Sequence, residues 1–169
     1  MKLISGIAAA LVVMGGGAHA QDLQYSPQAT SNCLQQAPAS GEDPRRCIGR
    51  SAMTCTEATG DGSTTVGMGY CWEQELNDWD THLNKVYQYA LGLARDRDNE
   101  MRDVGSSVPS LETTLRDAQR AWITWRDATC DFEMAQWGGG TGGGPALLAC
   151  LTRVTGEQAL YLEQVWLGE

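Results

Sequence analysis

The chain has 169 residues, with 12 Lys plus Arg against 21 Asp plus Glu and a formal net charge of −9. That length suits one domain with a real hydrophobic core rather than two. The acidic balance makes nucleic acid an unsuitable partner and a basic macromolecule an electrostatically welcome one.

Met1 and Lys2 form a short positive start, residues 3–14 are mostly apolar, and Ala18-His19-Ala20 gives a small-x-small pattern before Gln21. This predicts a secretory signal peptide over residues 1–20. Its apolar run is too short for a bilayer core of about 30 Å, and nothing later resembles a stop-transfer segment, so no transmembrane segment is expected after cleavage. The expected location is the periplasm or the medium. Removing Lys2 with the leader leaves 11 − 21 = −10.

All six cysteines, Cys33, Cys47, Cys55, Cys71, Cys130 and Cys150, follow the leader. An even count in an oxidising compartment predicts three disulfides. The 15 possible connectivities stay open, but spacing favours Cys33 with Cys47, Cys55 with Cys71 and Cys130 with Cys150. No Cys-x-x-Cys occurs and His82 is the only histidine after the leader, so neither a metal nor a cofactor is expected.

Residues 21–69 are polar and punctuated by turn signals, which predicts a disulfide-tied arm with two short helices. Ser26 would cap one starting at Pro27, and Asp43 one starting at Pro44. In residues 70–169, the proposed core, Trp72, Leu76, Trp79, Leu83, Val86, Ala90 and Leu93 recur at alternating steps of four and three, predicting a long amphipathic helix over about 69–98. Its tail is a solvated charge run, residues 95–98. A second seam of Leu111, Leu115, Ala118, Trp122, Trp125, Thr129 and Phe132 predicts the antiparallel partner helix. Glycines at 138–140 and 142–144 break it. Pro145 restarts a third helix that buries Leu147, Leu148, Leu151, Val154, Leu162 and Val165. The expected fold is all-α: a disulfide-stapled bundle built on a long helical hairpin, a C-terminal helix and a short-helix arm, together one domain.

Catalytic arrangements are poorly supported. The glycine tract lacks a phosphate-loop lysine. His82 sits mid-helix with Asp78 one turn before it, as a surface pair would. The acids Glu73, Glu75, Asp78 and Asp80 have a helix surface but no cleft for glycosidase chemistry. Bridged cysteines are not nucleophiles, so no catalytic residue is expected.

Cys55-Thr56-Glu57-Ala58, Met68-Gly69-Tyr70-Cys71, Trp79-Asp80, Leu83-Asn84 and Tyr87 resemble the first half of the lysozyme-inhibitor LprI-like N-terminal domain family. Ala118-Gln119-Arg120-Ala121-Trp122, Trp125-Arg126-Asp127-Ala128, Cys130 and Cys150-Leu151-Thr152 match its second half. The resemblance runs from about Cys55 to Leu162 and implies a small exported helical domain and, from the founding member, inhibition of lysozyme. Among the matched residues, Asp80, Asn84 and Tyr87 are expected to meet Arg120, Arg126 and Asp127 as an interhelical polar network. Gln119 and Trp122 are further motif positions of structural role. The expected function is a non-enzymatic binding protein whose partner is a basic lysozyme or another envelope protein. Glu73, Glu75, Asp78 and an exposed Trp137 are its candidate contacts. The competing expectation is an envelope scaffold or stress-related interaction module without lysozyme binding.

Overall fold

The computed structural model describes residues 23–58 and 60–168; the leader predicted at 1–20 lies outside them. Among the described residues the elements are all helical: α1 (Gln28–Ser40), a 3₁₀ turn (Pro44–Cys47), α2 (Arg50–Ala58), α3 (Thr65–Asp103), α4 (Leu111–Ala135) and α5 (Gly143–Leu167). None of these helices is long and apolar enough to cross a membrane. The all-α bundle is thus as expected, with one helix, α2, that the sequence reading did not separate from the arm.

The long helix starts earlier than its apolar seam. The Thr64 side chain accepts from the Gly67 N–H at 3.0 Å and caps the first turn. Glycine stands at position 67 because a Cβ there would overlap the Asp61 carbonyl. At the other end α3 runs on to Asp103, and the chain reverses through Gly105, whose φ of 69° is left-handed. Asp98 is not merely solvated: its carboxylate accepts from the Leu111 and Glu112 N–H groups at 2.7 and 3.0 Å and from the Ser110 hydroxyl at 2.6 Å. One helix thereby caps the next, satisfying amide donors that a helix start leaves unpaired.

Pairing of α3 with α4 is antiparallel and is pinned near the loop by Arg95 to Glu112 at 2.9 Å. The most extensive packing is between α3 and α5, which run parallel: Thr152 Oγ1 lies 3.2 Å from the Trp72 carbonyl, and His82 Nε2 meets Glu163 Oε1 at 2.8 Å. His82 therefore pairs across helices and not with Asp78. The core collects Trp79, Leu83, Val86, Ala90 and Leu91 from α3, Leu115 from α4, and Ala159 and Leu162 from α5.

All three expected disulfides are present: Cys33–Cys47, Cys55–Cys71 and Cys130–Cys150, with sequence separations of 14, 16 and 20. Loops of this size correspond to about 3 kcal/mol each in the chain-entropy account. The first closes the arm on itself, the second ties α2 to α3, and the third staples α4 to α5 across the glycine turn.

Two expectations of burial fail. Trp125 and Phe132 are 54% and 67% exposed, although both belong to the predicted seam of α4. A strict seven-residue repeat drifts about 20° per heptad on a straight α-helix. Ala118, Trp125 and Phe132, the exposed residues of that seam, therefore step progressively further from the face that buries Leu115, Gln119 and Cys130, while Trp122 and Thr129 between them stay half-buried. Val165 is likewise exposed near the end of α5, whose middle buries Thr152 and Thr155.

Candidate partner-binding surface

The four acids near the start of α3 separate into different roles. Glu75 is 0% exposed, which removes it from any contact surface. Its position explains why: Cys71, Glu75 and Trp79 are one turn apart on the buried stripe of α3. Its Oε1 accepts from Thr30 Oγ1 at 2.7 Å, Gly49 N at 2.8 Å and Trp79 Nε1 at 3.2 Å, and its Oε2 accepts from Ala52 N at 2.6 Å. Every partner is a donor, which suits the acceptor-only inventory of a carboxylate. Thr30 Oγ1 also accepts from Ser51 N at 3.0 Å. The first turn of α2 is thus capped by side chains from α3 and α1, where a negative group is also favoured by the helix dipole.

Two glycines let the arm come this close. A Cβ on Gly49 would fall 2.9 Å from the Trp72 ring, and one on Gly156 would fall 2.9 Å from Ile48. Outside this junction, Asp78 accepts from the Tyr25 hydroxyl at 2.7 Å. Burial, followed by that hydrogen bond to Asp78, pushes the Tyr25 phenol well above its ordinary range, so it serves as a neutral donor that straps the N-terminal segment to α3. Glu73 and Asp80 remain exposed and are seven residues apart on the outer side of the helix.

Trp137 is 53% exposed at the end of α4. Gly138 and Gly139 follow it with φ of 57° and 84°, values at which glycine avoids the penalty of a side chain. The indole lies over Gly142, where a Cβ would overlap the ring. The tract therefore seats the ring as well as turning the chain, and the Cys130–Cys150 bridge closes the loop that contains it.

The expected interhelical network does not form. Asn84 donates to Asp80 at 3.0 Å within α3, Arg120 pairs with Asp117 at 3.1 Å, and Arg126 pairs with Asp127 at 2.8 Å within α4. Asp80 and Arg120 each follow a buried residue, Trp79 and Gln119, and so point about 100° away from the interface. Of the other motif residues, Trp79 and Leu83 are core, Tyr87 and Trp122 pack against it, and Gln119 accepts from Gln158 at 3.1 Å across α4 and α5. The Arg126 guanidinium lies 5.1 Å from the Trp122 ring centroid.

Two open grooves of about 640 and 420 Å³ flank α5. In the smaller, Arg45 and Arg153 are already paired with Asp43 at 2.8 Å and Glu133 at 2.7 Å. Among the described residues no group of three His, Cys, Asp or Glu side chains is placed to hold a metal ion. The arrangement offers exposed aromatic and acidic surface for contact.

Comparison with known proteins agrees with the sequence resemblance. The family model for the lysozyme inhibitor LprI matches residues 55–162, from the second half of α2 into α5. An uncharacterised protein of Rhizobium meliloti (strain 1021) is 25% identical over 129 residues, covering 76% of this chain and 85% of its own. An uncharacterised 17.7 kDa protein of the puhA 5′ region in Rhodobacter capsulatus is 25% identical over 141 residues, covering 83% and 86%. No solved structure matches the chain.

Proposed function

Since the chain belongs to the lysozyme inhibitor LprI family, we infer that it is an exported, non-enzymatic binding protein that inhibits a basic lysozyme by covering its cleft. The family match is the observation that carries this reading. Three disulfides suit the periplasm or the medium. The net charge of −9 gives long-range attraction to a cationic enzyme. Glu73 and Asp78 at the start of α3, with Trp137 on its stapled turn, are the proposed contacts.

The test is inhibition of a basic c-type lysozyme by the purified, disulfide-intact protein across a salt series. Inhibition that weakens as salt rises is expected, because exposed charges separated by more than about 8 Å are screened at physiological ionic strength. Absence of binding at low salt refutes the inhibitor reading and leaves an envelope interaction module, for which co-purification with an envelope protein is the corresponding observation.

A further inference from the structure

The outer side of α4 carries a stripe that the bundle does not use. Ala118, Ala121, Trp125, Ala128 and Phe132 are all exposed and follow one another at steps of three and four. This is the narrow seam by which a helix pairs with something outside itself. The three alanines leave the two aromatics standing proud, and together Trp125 and Phe132 place a large apolar area in water. Exposed patches of this kind mark interaction sites, and tryptophan is among the residues that dominate binding energy.

Charge decides the occupant. Asp117, Thr124 and Asp131 line one edge of the stripe at seven-residue intervals. Asp117 is shared with Arg120, while Asp131 has no ion-pair partner among the described residues. The opposite edge, Trp122 and Thr129, is half-buried. Antiparallel pairing of two copies about Trp125 would set Asp117 of one beside Asp131 of the other, and both copies would carry the same acidic excess. Like charges so placed oppose association. A partner with an apolar groove and a basic rim meets the same features with the sign reversed, in the manner of a helix laid into a groove.

We propose that this acid-edged stripe of α4, centred on Trp125 and Phe132, is the surface that docks the basic partner. This rests on the lysozyme-inhibitor reading and moves the main contact from Glu73 and Asp78 to α4.

The experiment measures inhibition of a basic c-type lysozyme at low and physiological salt by the parent protein and three variants. Trp125→Ala with Phe132→Ala is expected to weaken inhibition by at least about tenfold with an unchanged melting temperature, since both side chains are exposed. Asp131→Lys is expected to weaken it several-fold and to flatten its salt dependence, and Tyr161→Ala, exposed on α5, to leave it unchanged. Inhibition by the double variant within about twofold of the parent overturns the stripe and leaves the inhibitor reading intact. A parent that neither binds nor inhibits removes both. Sedimentation that shows a dimer abolished by the double variant also overturns the proposal and assigns the stripe to a second copy.

Discussion

Removing the Glu75 side chain tests how the arm is held. In Glu75→Ala, Gly49 N–H, Ala52 N–H and Trp79 Nε1–H lose their acceptor together, and all three residues are buried. A buried donor left unpaired costs about 1–3 kcal/mol. These costs are not additive, because the first turn of α2 can reach water once it lifts from α3. A loss of about 3–5 kcal/mol is expected, toward the low end of three such penalties taken together. In Glu75→Gln the amide oxygen can serve the three donors at Oε1, but its NH₂ then faces Ala52 N–H, which sits 2.6 Å from Oε2. A smaller loss of about 1–3 kcal/mol is expected for that single conflict. Urea unfolding with the disulfides intact gives the magnitudes, and amide exchange at Gly49 and Ala52 locates them. An alanine variant that loses less than about 1 kcal/mol, or retains protection at both amides, would refute the capping role.

Thr155 Oγ1 is buried without a hydrogen-bond partner among the described residues, so Thr155→Val is expected to raise stability by about 1 kcal/mol, read as a higher urea midpoint. Gly92 lies inside α3 with open space where a Cβ would go; Gly92→Ala is expected to add about 0.5–1 kcal/mol, read in the same assay. Gly142→Ala displaces the Trp137 ring, and a changed tryptophan emission with little change in melting temperature is expected. The Ser110 hydroxyl, then the Glu112 and Leu111 N–H groups, hold the Asp98 carboxyl below the usual carboxylate range. Its stabilisation is therefore complete above the unfolded value of about 3.9 and disappears as pH falls through the lower folded value. Asp98→Asn should flatten the acid limb of a stability-versus-pH curve; an unchanged limb would contradict the cap.

The scaffold was legible because its determinants are local or periodic. The glycine turn and the cysteine spacing were enough for the Cys130–Cys150 staple, and the step of three and four in α3 was enough for Trp79, Leu83, Val86 and Ala90. Boundaries were less legible: Thr64 begins α3 ahead of its apolar seam, through a glycine at 67 that propensity alone counts against a helix. Glu75 was misread for a specific reason. Three neighbouring acids suggested a solvated face, whereas its position one turn from both Cys71 and Trp79 places it on the buried side. That spacing is visible in the sequence, but the compensating donors at Thr30, Gly49 and Ala52 belong to the arm and become visible only in the fold.

The same distinction explains the contact surface. Ala118, Trp125 and Phe132 alternate with Leu115, Trp122 and Thr129 along one seam, yet the first three are exposed and the others buried or half-buried; an apolar residue on a seam carries no mark that separates core from interface. Helix geometry makes the separation: Ala118, Trp125 and Phe132 lie to one side of the face that α5 covers over Gln119 and Cys130, and the drift of their seven-residue repeat carries each one further from that cover. One seam thus supplies an inward edge at Leu115, Trp122 and Thr129 and an outward edge at Ala118, Trp125 and Phe132. The inward edge closes the bundle, and the outward edge is the one proposed for a partner of charge opposite to that of Asp117 and Asp131.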